Sequence, residues 1–174
     1  MKTTYKIDPA HSSAQFVVRH MMITNVRGGF TGVRGTVVYD PNDLNASSID
    51  VNIDVHTLGT GDSTRDGHVK GADFLDAEKY PSITFKSKTI SKGSDHLVTG
   101  DLTIHGVTRE AVLAVDGPSA EQTDPWGNTR IGASATTKIK RSDFGLTWNT
   151  MLETGGIMLG DDLKLEIDVS LIKA

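Results

Sequence analysis

Cysteine is absent from this chain of 174 residues, which excludes disulfides, thiolate metal sites and a cysteine nucleophile. Long apolar runs are also absent, since no stretch approaches the roughly 18 residues that a membrane-spanning helix needs. Aromatic residues are few, with two Trp, three Tyr and five Phe beside 18 Gly. The length favours a single domain over residues 1–174, and that domain has few bulky side chains with which to fill its interior.

The chain lacks an excess of positive charge as well. Its 18 Lys and Arg stand against 22 Asp and Glu, a formal net charge of −4. Because nucleic-acid binding needs a basic face, no nucleic acid is expected as a partner. The first residues, Met1–Asp8, contain no apolar run of signal-peptide length. We therefore expect a soluble cytoplasmic protein without a transmembrane segment, or a periplasmic one if the chain is a processed form.

What the sequence does contain is alternation between apolar and polar residues with a period of two. The clearest cases are residues 48–56 and 163–171, where every second residue is Ile, Val or Leu. This period places the apolar side chains on one face of a β-strand. Weaker alternation marks six further segments, which are residues 14–18, 30–39, 83–90, 97–104, 107–115 and 131–139. Eight to nine strands joined by short turns predict an all-β antiparallel barrel or sandwich.

One segment, around residues 62–76, interrupts this pattern. Ser63 and Asp66 have the spacing of a capping box, and Gly71 is placed to end a helix in the left-handed conformation. A second turn is expected at residues 73–76, before Pro81. The segment predicts a short helical excursion lying across one end of the barrel.

No pattern of catalytic or metal-binding chemistry is evident. His11, His20, His68 and His105 lack the spacing of a metal-ligand pair. The Gly-x-Ser-x-Gly motif of serine hydrolases is absent, and the paired glycines fit neither a dinucleotide nor a phosphate loop. We therefore expect no metal, no cofactor and no catalytic residue.

The size of the inward side chains bears on whether the barrel is filled or hollow. Most are Val, Ile or Leu, and some are smaller, such as Ala111, Ala133 and Gly100. An eight-stranded barrel is just wide enough to be filled by its own side chains or to hold one small ligand. Composition alone leaves both a hollow barrel and a collapsed sandwich open, with the hollow barrel favoured.

Specific strings in the chain resemble the YceI family from one end to the other. They are IDPAHS at 7–12, FVVRH at 16–20, VRGGF at 26–30, RDGH at 65–68, DFLD at 73–76, YPSITF at 80–85, GDLTIHGVTR at 100–109 and RSDFG at 141–145. The resemblance implies a lipocalin-like antiparallel barrel of eight strands that carries a helix and a long apolar cavity. Family members are carriers of polyisoprenoids or other long-chain amphiphiles, including isoprenoid quinones. The resemblance brings no catalytic residues, and it implies a homodimer as a further expectation.

We therefore hypothesise a lipid-binding protein, not an enzyme, that carries or sequesters a polyisoprenoid, an isoprenoid quinone or a fatty amide or acid. Its tail would lie inside the barrel and its polar head near one mouth. The residues expected to line the cavity are Phe16, Val18, Phe30, Phe74, Phe85, Leu102, Ile104 and Phe144. Those expected to contact the head group are Arg19, His20, Arg65, Asp66 and His68.

Two other hypotheses stay open at this point. One is an enzyme acting on a small lipid or quinone with His20 or His68 as the general base. The other is a filled structural domain that acts through its surface.

Overall fold

The computed structural model describes residues 1–149 and 158–174 as one continuous antiparallel sheet with short helical segments. Its strands are β1 (Thr3–Ile7), β2 (Ser13–His20), β3 (Thr24–Phe30), β4 (Val33–Tyr39), β5 (Ser48–Asp54), β6 (Leu58–Gly59), β7 (Ser82–Lys92), β8 (His96–Ile104), β9 (Val107–Asp116), β10 (Gln122–Thr123), β11 (Thr129–Lys140) and β12 (Leu159–Lys173). One α-helix, α1 (Ser63–Lys70), lies in this part of the chain, and single 3-10 turns occupy Pro9–His11, Leu44–Ala46, Val55–Thr57 and Arg141–Phe144.

Eight of the described strands close into a barrel in the order β1, β4, β5, β7, β8, β9, β11 and β12, with β12 returning to β1. This confirms the predicted all-β antiparallel barrel of eight strands. Closure gives every strand of the ring a partner on both sides, although β9 and β11 pair only over Ala114–Asp116 and Ser134–Thr136. Among the described residues, no helix is long and apolar enough to cross a bilayer.

Strand β12 is the longest element because it pairs with three different strands. Most of its length, residues 162–172, lies beside β11, from Lys140↔Asp162 to Arg130↔Ile172. On its other side, the last residues pair with β1 and residues 159–168 pair with β2. The β2–β3 hairpin therefore extends the wall of the barrel at one end only.

The predicted strand over residues 30–39 is two strands in the structure. Phe30 ends β3 and Val33 begins β4, with Gly32 between them donating its backbone N–H to Thr57 Oγ1 at 3.0 Å. The predicted tight hairpin at His105 and Gly106 is confirmed, and both residues have positive φ, 55° and 72°. That combination is typical of the two-residue turns that match the twist of antiparallel strands.

The caps of α1 differ from those predicted. Asp62, not Ser63, is the N-cap, and its carboxylate accepts a hydrogen bond of 3.0 Å from the N–H of Arg65. Asp66 does not complete a capping box because its carboxylate is held by Thr60. Gly71 ends the helix with φ −79° and ψ −178°, outside the left-handed region. Residues 73–76 form turns instead of a second helical turn.

Candidate ligand cavity

The interior of the barrel contains a cavity walled almost wholly by apolar side chains. The cavity has a volume of about 170 Å³. Its walls include Phe16, Phe30, Ile49, Val51, Phe85, Ile90, Val98, Leu102, Leu113, Val115, Ile131, Ala133, Ala135, Leu165, Ile167 and Val169. Among the described residues that line it, none is Lys, Arg, Asp or Glu. An apolar cavity of this kind stays dry and is suited to an apolar guest.

Small side chains keep part of the interior open along the β11–β12 ladder. Ala133 and Ala135 of β11 lie opposite Val169 and Ile167 of β12, and all four line the cavity. Larger side chains in place of the two alanines would fill this space. The scarcity of bulky residues noted in the sequence therefore appears here as volume.

The two ends of the barrel differ. One end, which we call the closed end, carries the β8–β9 turn, α1 and the 3-10 turn Arg141–Phe144. Fully buried side chains fill it, with Val33 0%, Val55 1% and Phe144 1% exposed. No loop residue of this end in the described chain lines the cavity.

A buried arginine holds the closed end together. Arg141 is 6% exposed, and its guanidinium donates to the backbone carbonyls of Leu146 at 2.8 Å and Gly160 at 2.8 Å. Longer bonds reach the carbonyls of Trp148 and Leu159. Burial lowers the pKa of Arg141, whose charge nonetheless has backbone oxygens around it. The guanidinium thus joins the segments on both sides of residues 150–157.

The other end, which we call the open end, carries the β4–β5 loop, the β7–β8 turn and the segment after β9. The cavity reaches loop residues here, namely Leu44, Ser47, Gly117 and Pro118. Its polar lining also lies here, because His96 begins β8 and Tyr39 ends β4. Nδ1 of His96 is 3.0 Å from the backbone oxygen of Gly117, which fixes the orientation of the imidazole ring.

An ion-pair network lies on the outside of the barrel near the open end. Arg130 donates to Asp8 at 2.8 Å and to Asp124 at 2.7 Å. Hydrogen bonds from Arg130 and then His11 lower the pKa of Asp8 to about 2. Burial raises the pKa of Asp124, but hydrogen bonds from Arg130 and Asn128 outweigh that effect and lower it overall.

The structure brings five of the eight predicted lining residues to the cavity. Phe16, Phe30, Phe85, Leu102 and Ile104 line it. Val18, Phe74 and Phe144 do not, although all three are buried. They belong to the packing of the closed end, where Phe74 contacts the rings of His68 and Trp148 at centroid distances of 5.0 and 5.1 Å. All three were predicted to line the cavity, but in the structure the cavity does not extend to them.

None of the five predicted head-group contacts lines the cavity. Arg65 donates to Thr60, with Nε 2.8 Å from Oγ1 and Nη2 2.7 Å from the backbone oxygen, and Asp66 accepts from the N–H of Thr60 at 2.8 Å. His68 Nε2 is 3.0 Å from Asp73 Oδ2. These charges serve the local structure of α1 and the turns beside it. They lie at the closed end because α1 covers that end.

Arg19 and His20 are likewise at the closed end, where β2 finishes. The guanidinium of Arg19 turns outward to Asn25 Oδ1 and the backbone oxygen of Met22. His20 pairs with Thr24 and Leu159 in the sheet and is absent from the cavity lining.

Sequence reasoning missed His96 and Tyr39, two polar residues of the open end. A signal for His96 was present, because it shares parity with Val98 and Leu102 and therefore faces the interior. No motif drew attention to it.

A hollow antiparallel barrel of eight strands, closed at one end by a helix and buried turns, defines a lipocalin-like barrel. A model of the YceI-like domain matches residues 5–171. The chain belongs to the YceI-like family.

Individual relatives agree with this assignment. A UPF0312 protein of Vibrio cholerae is 42% identical over 146 residues, which cover 82% of this chain and 77% of that protein. The crystal structure of a YceI protein of Campylobacter jejuni is 33% identical, covers 90% of each chain and has a TM-score of 0.74. A polyisoprenoid binding domain from Saccharophagus degradans, implicated in plant cell wall breakdown, is 17% identical over 99% of each chain with a TM-score of 0.69. That last likeness shows a shared fold.

Proposed function

We propose that the protein binds a long-chain apolar amphiphile, with the tail inside the barrel and the polar head at the open end, and so carries or sequesters a lipid. The observation that supports the proposal is an apolar cavity whose interior-facing polar side chains lie at one end, with no charged lining residue among those described. A polyisoprenoid, an isoprenoid quinone and a fatty amide or acid all have this chemical form. The polyisoprenoid binding domain that shares the fold supports the same class of ligand.

The energetics favour such a ligand. Transferring an apolar tail from water into a dry cavity contributes about 0.8 kcal/mol for each buried methylene. A tail of tens of carbons therefore gains more than the roughly 4–15 kcal/mol that ordering usually costs on binding. One methylene more or less changes the affinity little, so similar tails should compete with one another.

The enzyme hypothesis has no comparable support. Its general bases, His20 and His68, do not line the cavity. His68 is instead engaged with Asp73 and two aromatic rings.

Native mass spectrometry of the protein purified from its own host tests the proposal. We expect a mass above that of the bare chain, with a lipid recovered by organic extraction. The stripped protein should then take up added polyprenol or quinone. A bare mass together with no uptake of either compound would overturn the proposed function.

A further inference from the structure

The position of the polar groups in the cavity restricts where a ligand's head can bind. The polar side chains of the lining that face the interior lie at the open end and belong to Tyr39, Ser47 and His96. Gln15, Thr84 and Ser134 alternate with inward apolar residues and therefore point their side chains outward. At the closed end, the lining residues Ile7, Ile53, Ile83 and Ile104 are apolar and buried. A head group at the closed end would therefore lose its hydrogen bonds to water without replacement, which is costly.

The hydrogen bond of His96 determines what its free nitrogen offers. A carbonyl oxygen only accepts, so the bond to Gly117 requires the proton of the imidazole to be on Nδ1. In the neutral ring Nε2 is then a hydrogen-bond acceptor. Such an acceptor matches a head group that carries its own donor, such as a hydroxyl or an amide N–H.

The hydroxyl of Tyr39 also lies at the open end. Tyr39 Oη does not hydrogen-bond to another residue of the described chain, and no fully buried side-chain polar atom there lacks a partner. The hydroxyl is therefore accessible and can donate to an oxygen of a ligand's head group.

The charges around the open end disfavour an anionic head. The cations there are already paired, since the amino terminus contacts Asp40, Arg130 contacts Asp8 and Asp124, and Lys173 contacts Glu121. Lys2 and Lys92 are exposed and do not line the cavity. A phosphate or diphosphate is held in proteins by Arg or Lys donors aimed at it, and the described lining has none.

We infer that His96, with Tyr39, forms a head-group subsite at the open end that selects an uncharged head bearing a hydrogen-bond donor, such as a primary alcohol or amide, over a phosphorylated one. The inference rests on the proposed function, because it concerns the head of the ligand whose tail fills the barrel. It assigns the selectivity to the end opposite α1.

Three probes that share the same dodecyl tail separate the effect of the hydrogen-bond donor from the effect of charge. They are 1-dodecanol, dodecyl methyl ether, which lacks the donor, and dodecyl phosphate, which adds charge. Each displaces a fluorescent fatty probe from the stripped protein below its own aggregation concentration. We expect the alcohol to bind about five-fold more tightly than the ether, the ratio given by one net hydrogen bond, and at least ten-fold more tightly than the phosphate.

Substitutions then locate the selectivity. In H96F the ratio of alcohol to ether affinity should fall to about one, while the ether affinity stays within about two-fold of that of the unchanged protein. Tyr39→Phe removes a donor to the head-group oxygen, which the alcohol and the ether both have, so it should reduce both affinities and leave their ratio unchanged. His20→Phe, at the closed end, is the matched control and should leave all three affinities unchanged.

The outcomes distinguish this inference from the proposed function. Equal affinities for the three probes, or tightest binding of the phosphate, would overturn the subsite while leaving a lipid-binding barrel. The same follows if Tyr39→Phe leaves the affinities for the alcohol and the ether both unchanged. Failure of all three probes to bind would overturn the proposed function itself, and the subsite with it.

Discussion

The ring of Tyr80 lies directly against the backbone of Gly106, because a Cβ atom built on Gly106 would stand 2.5 Å from Tyr80 Cε1. Gly106 also has φ 72°, in the left-handed region that disfavours other residues. Gly106→Ala therefore combines backbone strain with a steric clash. We expect it to lower the free energy of unfolding by about 2–3 kcal/mol in urea titrations.

Gly127→Ala is the matched control for that experiment. Gly127 has φ 85°, but nothing lies within 4 Å of the Cβ position. Only the backbone strain applies, and we expect a loss of about 1 kcal/mol. Equal losses for the two variants would show that the Tyr80 ring yields without cost.

Removing the guanidinium of Arg141 should destabilise the protein strongly. Arg141→Met would leave the carbonyls of Leu146 and Gly160 without their donors in a buried site. We expect a loss of about 2–4 kcal/mol of unfolding free energy, measured by urea denaturation. Arg109→Met removes an exposed guanidinium with one bond to the carbonyl of Asp143 and should cost less than about 1 kcal/mol. A small loss in both variants would contradict the anchoring role of Arg141.

The stability of the protein should fall in acid as Asp8 takes up a proton. The folded-state pKa of Asp8 is about 2, below its usual 3.8, so its contribution to stability is present above about pH 4 and is lost as the pH falls towards 2. Asp124 shifts in the same direction. Chemical denaturation between pH 2 and pH 5 should show this decline.

Asp8→Asn tests the assignment of that decline. The variant should be less stable at neutral pH, and its stability should change less between pH 4 and pH 2, because one titrating carboxylate is gone. Asp95→Asn, in the exposed β7–β8 turn, should keep the slope of the unchanged protein. An undiminished slope in Asp8→Asn would assign the acid sensitivity to other carboxylates.

Blocking the cavity should abolish ligand uptake without unfolding the barrel. Leu102 is 6% exposed and lines the cavity, so Leu102→Trp places a larger side chain in the space for the tail. We expect a stability loss of about 1–3 kcal/mol from overpacking and loss of uptake measured by native mass spectrometry. Val112→Trp adds the same side chain on the exposed side of β9 and should leave uptake intact. Retained uptake in Leu102→Trp would place the tail elsewhere.

The strands were predictable because their signal is local. Alternation at residues 48–56 and 163–171 reports which face of each strand is buried, and the structure confirms both as strands. The break at Gly32 was not predictable, because it depends on a hydrogen bond to Thr57, which is distant in sequence. The three partners of β12 are also invisible in the sequence, since strand pairing is a long-range property.

The predicted head-group residues show a second limit of prediction from the sequence. Arg65 and Asp66 were chosen for their charge and for the motif that contains them. The sequence does not reveal that Thr60 satisfies both side chains, nor that α1 covers the closed end. Parity along a strand predicts which side chains face the interior, and Phe16 and Phe85 line the cavity, but parity does not say how far along the barrel axis a residue lies. Phe144 is also buried, yet it lies beyond the end of the cavity.

Under the proposed function, the difference between the two ends would impose an order on loading and release. A lipid that uses the open end would enter tail first and leave head first, and its head group would face the outside while it is bound. A donor or acceptor of that lipid would then need no access to the interior of the barrel, because it would meet the head group directly.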